Sequence, residues 1–234
     1  MSHARFSPSS SSRWLYCTKS LTLPEKPDKG SPAAIRGTAL HDLSDDLLNK
    51  RQPSLFYGEY APTSEDILET VIPYVQYIEN IDAEYKFFER KVFVNEYCYG
   101  TADCITFKED CQTLEIVDLK CGRGFVSVND NTQLKIYAIG AINYLRELGL
   151  EVKNIITTIF QPKSSGKTVK SATVEFEHLR EFRGEVIKAV NDVLGGTTKY
   201  YPSSKTCFWC PHKQECPELR KDADIKAKED FLNI

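Results

Sequence analysis

The stretch GTADCITFKEDCQTLEIVDLK, residues 100–120, holds two short β-rich runs separated by a polar KEDCQ turn. Alternation along the second run sets Ile116, Asp118 and Lys120 on one face of a strand, with Glu115, Val117 and Leu119 on the other. Asp118 and Lys120 therefore project together. Asp103 falls on the first run, one turn away, where antiparallel pairing brings its carboxylate beside that of Asp118. Two adjacent carboxylates repel and are costly to desolvate, so the pair calls for a cation. Lys120 supplies one charge, and a hard divalent ion such as Mg²⁺ or Mn²⁺ would supply two more. Such an ion lowers the pKa of bound water, which a neighbouring ammonium can orient. Taken alone, D-x-K is a common tripeptide and reads as a surface ion pair.

Working outward, KVFVNEYCYG at 91–100 adds a β run before these two, which predicts an antiparallel meander. Residues 34–50 upstream have helical spacing, and a second helix is expected from a Ser64 cap through Asn80, kinked at Pro73. Downstream, a helix over 131–149 ends at Gly149, a strand follows at 152–160, and a final helix spans 174–194. This order predicts an α/β sandwich, a central mixed sheet flanked by helices, and not a doubly wound one. No internal repeat is present. The first thirty residues read as irregular apart from an apolar island at Trp14 and Leu15.

The 234 residues with 41% hydrophobic content suffice for a real core, and one domain over 1–234 is expected. No apolar run is long enough for a membrane span, and the opening MSHARFSPSSSS lacks the apolar centre of a signal peptide, so a cytosolic protein is expected. Eight cysteines in that compartment point to metal binding or catalysis before disulfides. Thirty basic against thirty-three acidic residues, net −3, argue against coating nucleic acid by bulk attraction. The run QPKSSGKTVK at 161–170 has three lysines and no acid, and reads as a solvated loop or a weak backbone contact. Its SSGKT resembles a phosphate loop between strand and helix, but Gln161 holds the first glycine position, which excludes an ATPase.

Gly100 with Asp103, Asp118 with Lys120, and Gln133 with Tyr137 stand in the order G-x-x-D, D-x-K, Q-x-x-x-Y, and RGTALH upstream supplies G-x-x-x-H with Gly37 and His41. In register over about one hundred residues, these four motifs resemble the RecB-type branch of the PD-(D/E)XK nuclease superfamily. The resemblance implies a restriction-endonuclease-like core, with His41, Asp103, Asp118 and the Leu119 carbonyl as metal ligands. Lys120 would orient or polarise the water, while Gln133 and Tyr137, one helical turn apart, would position Lys120 or the strand. Ala102 replaces the proline of the family's name. Glu89 reads either as a further acidic contact or as a solvated charge beside Arg90 and Lys91.

CFWCPHKQEC at 207–216 leaves the fourth ligand of three close thiols open. A zinc knuckle with His212 is cramped, because one residue separates it from Cys210. Some RecB-type nucleases, CRISPR spacer-acquisition nucleases and AddB-type subunits among them, carry an iron–sulfur cluster on one early and three late cysteines. Cys17 with Cys207, Cys210 and Cys216 resembles that pattern and implies a [4Fe–4S] cube that staples the chain ends, with all-thiolate zinc as the alternative. Cys98, Cys104, Cys111 and Cys121 read as small buried hydrophobes, with Cys104 and Cys121 turned away from the active face.

The function implied is a metal-dependent DNA exonuclease acting on single strands or ends, in phage recombination or CRISPR adaptation. A recombination or helicase partner would open duplexes, since no helicase motif is present. The competing reading is a non-catalytic nucleic-acid-binding or assembly protein on the same scaffold.

Overall fold

The computed structural model describes residues 4–24, 26 and 30–232. The sequence reading of residues 1–3 lies outside this range. Helices α1 (Ser11–Trp14), α2 (Pro32–Leu48), α3 (Ser64–Asp66) and α4 (Ile72–Glu79) precede strands β1 (Tyr85–Phe93), β2 (Tyr99–Lys108) and β3 (Thr113–Leu119). Helix α5 (Thr132–Glu147) then crosses to β4 (Asn154–Phe160) and β5 (Val169–Thr173), followed by α6 (Phe176–Leu194), α7 (Ser204–Cys207) and α8 (Pro217–Leu232). The strands form one sheet in the order β1-β2-β3-β4-β5, antiparallel except for the β3/β4 pair. That single parallel pair follows from the connection, because a helix is needed to return the chain to the starting end of the sheet.

Each face of the sheet has its own core. One packs Ile105, Phe107, Leu114 and Ile116 against α5 and α6 through Leu134, Ile136, Val186 and Val190. The other packs Cys104, Val117, Leu119 and Phe160 against α2 and α4 through Leu40, Leu43, Tyr74 and Ile78. Alternation along β3 therefore sorts its side chains between the two layers as the sequence predicts. Gly140 lets α5 approach β1, since a Cβ there would stand 2.8 Å from Val92.

Several boundaries differ from the sequence reading. Strand β1 begins at Tyr85, ahead of residue 91, because Tyr85 and Phe87 stack along one face against Phe107 and Tyr144. The cap expected at Ser64 is Thr63, whose hydroxyl accepts from Asp66 N while Asp66 accepts from Thr63 N. Pro73 directly follows a wide π-turn at Ile67–Val71, in which Ile72 N donates to Ile67 O. SSGKT leads into β5 and not into a helix, and α8 follows the helix expected to be final. The irregular amino-terminal stretch is ordered by burial of Phe6 and Trp14, packed edge to face with centroids 5.4 Å apart. Among the described residues no helix is long and apolar enough to cross a membrane.

Candidate active site

The β2/β3 ladder runs from Lys108↔Thr113 to Cys104↔Val117 and stops there. Continuing its register sets Asp103 opposite Asp118. In place of the next ladder bond, Asp103 Oδ2 accepts from Leu119 N at 2.7 Å, so the carboxylate is fixed by the backbone of the neighbouring strand. The β1/β2 ladder is interrupted at the same level, between Phe88↔Cys104 and Arg90↔Ala102. Glu89, the residue at that gap, has φ +43°, a conformation that costs a glutamate energy. The strands thus part where the acidic residues lie.

Helix α2 delivers His41 from one layer. Its Nδ1 stands 3.1 Å from Asp103 Oδ1 and 3.9 Å from Glu89 Oε1. Ligand atoms of His41, Glu89 and Asp103 all lie within 4.8 Å of one another, and among the described residues no other such group of three occurs. One nitrogen and carboxylate oxygens suit a divalent cation that accepts mixed N/O ligation, Mn²⁺ in particular. Glu89, which the sequence left between contact and solvated charge, belongs to this set.

The other layer delivers α5. Lys120 Nζ lies 2.6 Å from Asp118 Oδ2 and donates to Gln133 Oε1 at 3.0 Å, while Gln133 Nε2 donates to Tyr137 Oη at 3.3 Å. Lys120 N donates to Phe160 O at 2.8 Å, which prolongs the parallel ladder by one bond and fixes the start of its side chain. Leu119 is buried at the end of β3, opposite Phe160. Gly100 is explained by contact: a Cβ would come within 2.7 Å of Pro8 and 3.2 Å of Tyr137.

Charge and burial set the protonation of the group. Burial raises the Asp118 carboxyl, and neighbouring Asp103 adds to the rise against the pull of Lys120. For Asp103, burial works upward but His41 and Lys120 outweigh it, and the net shift is downward. Burial works against a charged His41, yet Asp103 overcomes it, and the imidazole titrates well above its ordinary range. Lys120 likewise stays charged because Asp118 and Asp103 outweigh its desolvation. Asp118 Oδ2 is buried without a hydrogen-bond partner of good geometry, its ion pair with Lys120 apart. A buried acceptor in that state has capacity left for a cation.

One support lay outside the sequence reading. Arg36, in the RGTALH segment, clamps the site's margin: Nε and Nη2 donate to Asp66 Oδ1 and Nη1 donates to Cys121 O at 3.0 Å. Cys121 is buried as expected and, with Cys104, Val117 and Leu119, faces the α2 layer opposite to Asp118 and Lys120, which sets its thiol beside His41. The strand alternation thus continues one residue beyond Lys120. Cys98 and Cys104 are buried, whereas Cys111 is exposed in the β2–β3 turn, where no core exists to cover it.

Cys17, Cys207, Cys210 and Cys216 line one small enclosed pocket together with His212, Arg13 and Ser20. Arg13 Nε and Ser20 Oγ are buried there without partners. No three of these sulfur atoms come within 4.8 Å of one another. The chain ends meet at this place, where Lys19 N donates to Lys199 O at 3.0 Å and Arg13 Nη1 to Trp209 O at 3.3 Å.

The family model "Protein of unknown function (DUF2800)" matches residues 3–233, and the chain belongs to that family. Among solved structures, a "putative exonuclease" from Eubacterium rectale superposes with a TM-score of 0.50 at 14% identity, covering 90% of this chain and 87% of that one. The five-stranded mixed sheet flanked by helices is the fold the two share. SSO0001 aligns over 87% of this chain and 92% of its own at 14% identity, with a TM-score of 0.34.

Proposed function

We propose that the protein is a metal-dependent deoxyribonuclease of the RecB-type PD-(D/E)XK branch, cutting DNA exonucleolytically at single strands or ends. The observation that carries this is the meeting of Asp103, Asp118 and Lys120 at one end of the sheet, with His41 and Glu89 against Asp103. His41, Glu89 and Asp103 would form the near ligand group for a divalent ion, and Asp118, which lies outside that close group and pairs with Lys120, would complete the shell with the Leu119 carbonyl. Bound there, Mg²⁺ or Mn²⁺ supplies Lewis acidity toward a phosphate oxygen and a more acidic water. Lys120, kept charged by the two aspartates, holds the attacking water and stabilises charge gathering on the phosphoryl group. Gln133 keeps Lys120 in that position, and Tyr137 holds Gln133. The fold similarity to the Eubacterium rectale protein supports the same reading.

The four cysteines would hold an iron–sulfur cluster that joins the chain ends as one domain. The orphaned Arg13 Nε and Ser20 Oγ beside these cysteines are donors of the kind that cluster sulfides accept from, which supports this reading.

The test is a digestion of end-labelled single-stranded and duplex DNA with Mn²⁺. The full chain should release nucleotides, and Lys120→Ala should stay folded and inert. If the parent and Lys120→Ala are equally inactive on every DNA form, the non-catalytic scaffold replaces this reading. Anaerobically purified protein should carry iron and acid-labile sulfide; stoichiometric zinc in colourless protein would reverse the cluster assignment.

A further inference from the structure

Immediately after Lys120 the chain makes a loop, CGRGFVSV at 121–128, whose Phe125 is 67% exposed. A single exposed aromatic is ordinary on a protein surface; an exposed aromatic on a firmly anchored loop beside a reactive site is less so. The anchor is Gln161, which is fully buried. Its Nε2 donates to Gly122 O at 2.9 Å and Gly124 O at 2.7 Å, and its Oε1 accepts from Val126 N at 3.2 Å and Lys170 Nζ at 2.8 Å. One side-chain amide thus holds both sides of the Phe125 position. Lys170 Nζ also donates to Val126 O at 2.8 Å and lies 4.6 Å from the centroid of the Phe125 ring. Gly166, on the 161–168 loop, offers the ring edge a surface without a side chain, and even an added Cβ would reach only to 4.0 Å from Phe125 Cε2.

These anchors tie the loop to the ends of β4 and β5, the edge where Phe160 O fixes the Lys120 backbone. Around the ring the local charge is basic: Arg123 and Lys167 are exposed and Lys170 lies against it, although Lys163 is paired with Glu65 and Glu69. A fixed, exposed ring among cations, within a few residues of Lys120, is complementary to a base whose phosphates track the cleft.

We propose that Phe125 is a stacking platform for one unpaired nucleobase of the bound strand, next to the phosphate that Lys120 faces. This rests on the nuclease reading and sharpens it, because a base can stack on the ring only when it is free of its complementary partner. Gln161 is the positioning residue that presents the ring.

The experiment measures binding without turnover, so it can fail separately from the nuclease reading. In a Lys120→Ala background without divalent metal, the dissociation constants for a 12-mer oligo-dT and for a 12-base-pair duplex are compared. Phe125→Ala should weaken oligo-dT binding by about 5- to 150-fold, the range for loss of one base–aromatic stack, with the salt slope unchanged. Phe125→Trp should restore it, and the fluorescence of the new indole should be quenched by oligo-dT. An abasic site walked along the oligonucleotide should weaken parental binding at one position and leave Phe125→Ala unaffected there. The proposal is overturned if Phe125→Ala binds oligo-dT as the parent does, if the duplex loses as much, or if the Phe125→Trp fluorescence is unmoved. Digestion of oligo-dT by the Lys120 parent is scored alongside, so absence of turnover with an intact Phe125 effect would remove only the nuclease assignment.

Discussion

Asp103, Asp118 and Lys120 stand on adjacent strands whose backbones are bonded to one another, whereas Cys17, Cys207, Cys210 and Cys216 come from the two ends of the chain with no strand among them. In the first region the sheet fixes the side chains before any ligand arrives, so chemistry and stability are separable. In the second, buried polar atoms of Arg13 and Ser20 remain without partners, so on the proposed cluster reading the bound group would complete the region. Damage to the strand site should therefore read out as lost turnover, and damage to the thiol site as lost stability.

The sharpest break of that contrast is Asp118→Asn. It removes a buried carboxylate that burial and Asp103 already disfavour as an anion, while Lys120 keeps Asp103 and Gln133 nearby. Cleavage should fall by about 10²–10³-fold, the usual cost of one preorganised electrostatic group, in protein that circular dichroism shows to be folded. A rate that survives the change would mean that the carboxylate is structural only. Cys17→Ser probes the other side. Loss of a link that closes almost the whole chain should cost on the order of 4 kcal/mol by loop-closure entropy, with release of iron. Turnover per folded molecule should stay within about twofold at low temperature. Equal denaturation midpoints for the two proteins would show that the thiols staple nothing.

Arg36 and Asp66 give the contrast a third arm, an ion pair that supports the strand site without entering it. Burial alone would raise the Asp66 carboxyl, but hydrogen bonds from Tyr60, Arg36 and Thr63 bring it down to about 2. A carboxylate depressed in the folded state stabilises above its unfolded pKa and loses that contribution as pH falls through the folded value. Roughly 2 kcal/mol of stability should therefore disappear between about pH 4 and pH 2. Asp66→Asn should flatten that part of a urea-midpoint titration, and an unchanged slope would remove Asp66 from the account.

What the sequence discloses follows the same division. Period-two alternation is a property of any regular strand, so the face shared by Asp118 and Lys120, the Asp103 pairing and the Gln133–Tyr137 helix face were all legible in the residues themselves. Where regular geometry ends, so does legibility. The place of Gln161 under the Phe125 loop depends on contacts made across the ends of three strands. The early start of β1 was hidden because its aromatic residues carry the packing without a simple apolar–polar alternation. Arg36 carries no local signal at all: its partners Asp66 and Cys121 are 30 and 85 residues away.

Glu89 yields the smallest expected effect and tests the strain left where the two ladders are interrupted. It occupies the left-handed region with φ +43° in mid-strand, and its carboxylate faces His41 at 3.9 Å. Asparagine tolerates that backbone better and loses the charge, so Glu89→Asn should leave the protein about 1 kcal/mol more stable. Its affinity for Mn²⁺ should fall, since one of three close ligand groups is weakened. Mn²⁺ titration calorimetry beside thermal denaturation reads both quantities. Opposite movement of the two would place the strain in the service of the metal site, whereas a variant that loses stability and keeps its Mn²⁺ affinity would make Glu89 a structural residue of β1.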